Sequence, residues 1–131
     1  MADKFIPSAK LDRFQRKFND NRFYFISLQL EIDGYIDLDR LEKAVAKVAE
    51  AVTILKCYYT GSFEEEDSGW VLLTREPQWV KAGSSDPASV TAILDNLPTE
   101  HSPLHVTADQ NGPQCTLVFS IDHTVTDAHG L

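Results

Sequence analysis

An alternating strand, followed at once by a capped amphipathic helix, constrains the fold of this chain more than any other feature. Across residues 23–32 apolar side chains alternate with polar ones, which is typical of a strand with one buried face. Asp33-Gly34 ends the strand, and Asp37 stands where a helix N-cap belongs. The apolar stripe of the helix that follows consists of Leu38, Leu41, Val45, Val48 and Val52. The pattern predicts a helix packed on a sheet.

The rest of the chain extends this pattern to the order α-β-α-β-β-α-β-β. A first helix opens at Pro7-Ser8 and carries Leu11, Phe14 and Phe18, and a third opens at Asp86-Pro87. Further strands are predicted at residues 54–60, 70–74, 104–108 and 115–121, with a short edge segment at 78–81 and an acidic loop around 64–67. We therefore predict an α/β (α+β) two-layer sandwich, with a mixed β-sheet covered by helices, as a single domain over residues 1–131.

Composition excludes several classes of function. The net charge is −8, and residues 23–131 carry six Lys and Arg against seventeen Asp and Glu, which argues against a nucleic-acid partner. The first 22 residues are basic, and we interpret them as a solvated helix face. The sequence contains neither a membrane-spanning apolar run nor a signal peptide, so we expect a cytoplasmic protein without a membrane partner. Cys57 and Cys115 lie in apolar segments and are expected to be buried free thiols.

The candidate catalytic residues follow the last predicted strand. His123 is followed four residues later by Asp127, so that an imidazole and a carboxylate lie on one short loop. Such an imidazole can take a proton from a hydroxyl or an amine. The same pair is also compatible with a loop histidine and a capping aspartate, because short motifs recur by chance. We interpret His101 and His105 as loop and strand-edge histidines, and His129 as a solvated or capping residue rather than a second catalytic group.

The stretch around His123 resembles the active-site motif of the chloramphenicol-acetyltransferase-like superfamily, which includes the condensation domains of nonribosomal peptide synthetases. The pattern in that superfamily is His-His-x-x-x-Asp-Gly. Here Asp122 replaces the first His, and Ala128 replaces the Gly. The run at 28–44, the segment at 54–57 and Pro103-Leu104 resemble further segments of the same superfamily in the same order.

The resemblance implies acyl transfer from a thioester on CoA or on a carrier-protein phosphopantetheine arm to an amine or an alcohol, with no permanently bound cofactor. His123 would be the catalytic base, and Asp127 would pair with a cation to hold the loop. Lys56 stands where the superfamily usually has an Arg, and it lacks the bidentate geometry of a guanidinium. Asp122 would be a structural residue of the site.

The resemblance covers the N-terminal half of a fold whose active site lies between two halves, so activity of the chain alone is doubtful. The expected partners are the missing C-terminal half or a second copy, together with a carrier protein or an acyl-CoA. The alternative is a non-catalytic module that docks a carrier protein or dimerises, with a degenerate motif. A zinc site built from His123, Asp127, His129 and a Cys is disfavoured, because the paired spacing of zinc ligands is missing.

Overall fold

The computed structural model describes residues 5–7, 25–60 and 69–122. Three predicted features lie outside these ranges: the helix carrying Leu11, Phe14 and Phe18, the acidic loop at 64–67, and the motif from His123 onward. The strands are β1 (Phe5–Pro7), β2 (Phe25–Asp33), β3 (Cys57–Thr60), β4 (Gly69–Leu72), β5 (Val80–Ala82), β6 (Leu104–Asn111) and β7 (Gln114–Asp122). The helices are α1 (Leu38–Ala51) and α2 (Pro87–Asp95), and a 3₁₀ helix spans Thr53–Lys56.

The described strands form two sheets. The larger has the order β2-β7-β6-β5, with β5 parallel to β6 and the other neighbours antiparallel. The smaller has the order β1-β4-β3 and is antiparallel. The predicted edge segment at 78–81 is confirmed as β5, and the predicted strand at 70–74 as β4. The mixed sheet of the predicted fold class is thus confirmed in the larger sheet.

Helices cover the larger sheet. Val45 and Ala49 of α1 pack with Leu117 of β7 on one face, while Val90 and Leu94 of α2 pack with Val118 on the other. Adjacent residues of a strand point to opposite faces, so Leu117 faces α1 and Val118 faces α2. The predicted helix-on-sheet packing therefore holds for α1, and α2 adds a helix on the opposite face.

Both helices begin where the sequence predicts. The Asp37 carboxylate accepts hydrogen bonds from the backbone N–H groups of Asp39 at 3.0 Å and Arg40 at 3.3 Å. The Asp86 carboxylate accepts one from Ser89 at 3.4 Å, with Pro87 as the first helical residue. These carboxylates satisfy N–H groups that have no partner inside the helix.

Two predicted boundaries are wrong. Residues 54–56, predicted as strand, belong to the 3₁₀ helix, since the chain has to pass from α1 into β3 within a few residues. The tight turn overrides the strand preference of Ile54. The chain also forms β1 at Phe5–Pro7, so the first predicted helix cannot begin at Pro7.

The predicted stripe of α1 is only partly buried. Val45 and Ala49 are buried, whereas Val48 is 54% exposed and Val52 is 44% exposed. The Glu42 carboxylate sets this rotation of the helix: its two oxygens accept the backbone N–H groups of Trp79 at 2.9 Å and Val80 at 2.8 Å. The flank of α1 that carries Glu42 therefore faces β5, and the exposed valines lie on the other flank.

The two cysteines are buried free thiols, as predicted. Among the described helices, none is long and apolar enough to cross a membrane.

Candidate active site

Asp122 ends β7, a strand that lies between β2 and β6 in the larger sheet. Its side chain is buried, and its backbone N–H donates to the Pro103 carbonyl at 2.8 Å. The sheet therefore fixes the chain up to the residue before His123. His123, Asp127, Ala128 and His129 lie outside the described residues, and their roles stay predictions.

A polar row crosses the sheet next to this strand end. Ser27 of β2, Ser120 of β7 and His105 of β6 are opposite one another in the register. The Ser27 and Ser120 hydroxyl oxygens are 2.9 Å apart, within hydrogen-bond distance. Ser120 lies two residues after Val118 and therefore points to the same face of the sheet, which α2 covers. Ser27 and His105 lie opposite Ser120, so the whole row is on that face. Polar groups thus interrupt the apolar packing two residues before Asp122.

Of the three residues in this row, His105 has a pKa that the fold shifts. Its pKa is lowered to about 4, mainly by burial and secondarily by the nearby charges of His101 and Lys81, against a hydrogen bond with the Ser102 backbone that raises it. Its ring packs edge-on against Phe25 at 5.7 Å between centroids. Its Nε2 is buried and has no hydrogen-bond partner among the described residues. His105 is therefore a neutral imidazole near neutral pH.

Sequence reasoning placed His105 at a strand edge, and the structure places it on an interior strand, between β7 and β5. The signal in the sequence was weak, because a single His in an alternating strand does not reveal which face is covered. His101 lies in the loop before β6, as predicted, and its ring is 5.9 Å from that of His105. Its Nδ1 is 2.7 Å from the Pro98 carbonyl oxygen.

Lys56 lies at the same end of the sheet as Asp122. Its neighbour Leu55 accepts a hydrogen bond from the Ser102 hydroxyl at 2.6 Å, and Pro103 in turn accepts the Asp122 N–H. The 3₁₀ helix that carries Lys56 is therefore held against the loop that leads into β6. The predicted pairing of Lys56 with Asp127 lies outside the described residues.

The described partner of Lys56 is Glu76, which sequence reasoning did not identify. The Lys56 Nζ is 3.5 Å from a Glu76 carboxylate oxygen, and the two side chains are 32% and 55% exposed. Glu76 also accepts a hydrogen bond from the Trp79 indole N–H at 3.2 Å. An ion pair this exposed contributes little stability, so Lys56 can exchange its partner at small cost.

A cavity of about 390 Å³ lies beside these groups, between residues 73–78 and residues 97–105. His101 and His105 line it, together with the cations Arg75 and Lys81. Its carboxylates already have partners, because Glu76 binds Lys56 and Trp79, and Glu100 accepts the Thr74 hydroxyl and N–H. Arg75 and Lys81 have no ion-pair partner within the described ranges, and they suit an anionic part of a ligand.

No group of three or more His, Cys, Asp or Glu that could hold a metal occurs within residues 25–60 and 69–122. The disfavoured zinc site involves residues that lie outside those ranges.

Neither the protein-family models nor the curated proteins include a match to this sequence. Solved structures do match. The X-domain from teicoplanin biosynthesis superposes with a TM-score of 0.70 at 15% identity, covering 95% of this chain and 29% of its own. The same X-domain has been solved in a complex with OxyB.

Two further structures come from peptide synthetases. The epimerization domain from the third module of tyrocidine synthetase B matches with a TM-score of 0.69 at 13% identity over 94% of this chain and 30% of its own. The first condensation domain of the calcium-dependent antibiotic synthetase matches with a TM-score of 0.63 at 17% identity over 94% and 33%. The chain therefore has the fold of part of a condensation domain, consistent with its N-terminal half, and spans about 30% of the length of these structures.

Proposed function

We propose that this chain supplies one wall of a condensation-type acyl-transfer site, with His123 as the catalytic base. The observation that carries the proposal is the end of β7: an interior strand of a condensation-type fold runs to the buried Asp122, and His123 is the next residue. A base attached to a rigid strand end is held in a defined position, which catalysis by proton transfer requires.

The proposed reaction joins an acyl group to an amine or an alcohol. The acceptor nitrogen or oxygen attacks the thioester carbonyl, and the His123 imidazole takes the proton that the acceptor loses as the new bond forms. The carbon–sulfur bond then breaks, and the imidazolium returns the proton to the leaving thiolate of CoA or of a phosphopantetheine arm. Asp127 would hold the loop by binding Lys56, which would then share or leave its contact with Glu76.

The second wall of the site would come from another polypeptide segment. The chain spans only about 30% of the structures that it matches, so a C-terminal half is the partner that the proposal requires. A carrier protein or an acyl-CoA would deliver the donor. The cytoplasmic location stays a prediction.

The second candidate is a non-catalytic docking module with a degenerate motif. Two observations favour it: the matching X-domain has been solved in a complex with OxyB, and several large apolar side chains of this chain are exposed. In this case the fold would present a surface to another protein, and His123 would have no chemical role.

Acyl transfer by the chain joined to the C-terminal half of a condensation domain tests the proposal. The native protein, His123→Ala and His129→Ala are compared with a carrier-bound acyl thioester and an amine, and the product is measured by mass spectrometry. Loss of the base should reduce the rate by about 10²–10⁴-fold, the usual contribution of general base catalysis. His129→Ala, six residues further along the chain, should keep the native rate.

Transfer that is unchanged in His123→Ala would show that this residue is not the base. Binding of the carrier protein without any transfer by the native protein would favour the docking module.

A further inference from the structure

The cavity of about 390 Å³ between residues 73–78 and residues 97–105 has apolar walls as well as charged ones. All of its lining residues lie in the described part of the chain, and the apolar ones are Leu73, Pro77, Leu97, Pro98 and Leu104. A volume of this size is within the range of sites that hold small organic molecules. The apolar lining favours such a molecule over an inorganic ion, which would leave these side chains without a contact.

The charges at the cavity favour a ligand with a single negative charge. Arg75 and Lys81 form neither an ion pair nor a side-chain hydrogen bond within residues 25–60 and 69–122. The guanidinium of Arg75 can bind a carboxylate through two parallel hydrogen bonds. Glu76 and Glu100 also line the cavity, and they repel a ligand in proportion to its negative charge. A carboxylate therefore fits better than a doubly charged phosphate.

Lys81 and His105 are neighbours on one face of the larger sheet. Lys81 of β5 lies opposite Thr107 of β6 in the parallel register, and Thr107 follows His105 by two residues. Side chains two residues apart on a strand point to the same face, so all three share it. Because Lys81 and His105 both line the cavity, a molecule bound there can contact both side chains.

The His105 ring offers such a molecule a hydrogen-bond acceptor. Its hydrogen bond with the Ser102 backbone raises the pKa of the ring, which means that the ring donates and the carbonyl accepts. Nε2 has no partner in the described part of the chain, so the donor is Nδ1. A neutral imidazole carries a proton on one nitrogen only, which leaves Nε2 as an acceptor. A buried acceptor without a donor costs free energy, and a hydroxyl group of a bound molecule supplies the donor.

We propose that this cavity binds a small carboxylic acid that also carries a hydroxyl group. Arg75 and Lys81 bind the carboxylate, and the hydroxyl donates a hydrogen bond to Nε2 of His105. The organic part of the ligand packs against the leucine and proline side chains of the wall. This inference goes beyond the acyl-transfer proposal and does not rest on it, because it involves neither His123 nor Asp127.

Three related molecules test the proposal by isothermal titration calorimetry with the native chain. Mandelate has a carboxylate, a hydroxyl and an apolar ring, whereas phenylacetate lacks only the hydroxyl and benzyl alcohol lacks only the carboxylate. We expect mandelate to bind about 3–10-fold more tightly than phenylacetate, which is the usual contribution of one neutral hydrogen bond. We expect benzyl alcohol to bind at least roughly tenfold more weakly than mandelate, because it has no charge for the two cations.

Substitutions separate the contact with the carboxylate from the contact with the hydroxyl. Arg75→Gln and Lys81→Gln each remove an exposed charge and should weaken the binding of both acids. Lys47→Gln is the matched control, since Lys47 is an exposed cation on α1 that does not line the cavity, and both affinities should stay unchanged. His105→Leu should bind mandelate and phenylacetate equally, because the acceptor of the hydroxyl is gone.

The nitrogen NMR resonance of His105 Nε2 provides a second measurement, in the native chain, that does not depend on the folding of His105→Leu. It should shift when mandelate binds and stay in place when phenylacetate binds. Equal affinities of the native chain for the two acids would overturn the proposal. Absence of mandelate binding, or mandelate affinity that is unchanged in both Arg75→Gln and Lys81→Gln, would overturn it as well.

Discussion

At the residue scale, His105 links the folding of this chain to pH. The fold lowers its pKa from 6.5 to about 4, mainly by burial, so the folded state binds a proton less readily than the unfolded state. Between these two values the unfolded chain holds the proton and the folded chain does not. The stability that the neutral His105 contributes is therefore fully present above pH 6.5 and is lost as the pH falls toward 4.

We predict that His105→Leu removes part of this acid sensitivity. The native chain should lose up to roughly 3 kcal/mol through His105 as the pH falls from 6.5 to 4, in addition to the loss through its carboxylates. The free energy of unfolding, measured by urea denaturation across this range, should fall less steeply in the variant. If the free energies of unfolding of the native chain and of His105→Leu fall equally steeply with pH, folding does not lower the pKa of His105 and the prediction is wrong.

At the element scale, Glu42 joins α1 to β5. Its carboxylate accepts two backbone N–H groups at the point where the chain enters the edge strand of the larger sheet. Nothing in the sequence indicates this bond, since Glu42 is only a polar position within an amphipathic helix. The caps at Asp37 and Asp86 were predictable, because a capping carboxylate accepts hydrogen bonds from residues two or three positions further along the chain. The Glu42 carboxylate instead accepts hydrogen bonds from residues that are 37 and 38 positions away.

Glu42→Gln should therefore destabilise the fold. One of the two accepting oxygens becomes an NH₂ group, which leaves a backbone N–H without its acceptor and costs about 1–3 kcal/mol. Glu50→Gln, an exposed position on the same helix, should change stability little. The free energies of unfolding of the two variants measure the difference. Equal stability of both variants would mean that water replaces the lost acceptor at β5.

At the scale of the whole molecule, local sequence patterns predicted the helices and strands, whereas contacts between distant segments determine how these elements assemble. The alternation in β2, β6 and β7 and the two helix caps were enough to predict a mixed sheet with helices on it. The division into two sheets, the 3₁₀ helix at Thr53–Lys56 and the partner of Lys56 depend on contacts between distant segments, which periodicity does not contain. The likeness to condensation domains confirms the fold, while the chemistry of the candidate site rests on the motif that follows Asp122.

The pH dependence of single-turnover acyl transfer tests the central claim most directly. With the C-terminal half of a condensation domain supplied, the native rate should fall as the pH is lowered, because a protonated imidazole cannot accept the proton of the acceptor. His123→Ala should retain a slow rate that lacks this dependence. Identical pH profiles for the native protein and His123→Ala would contradict the assignment of His123 as the base.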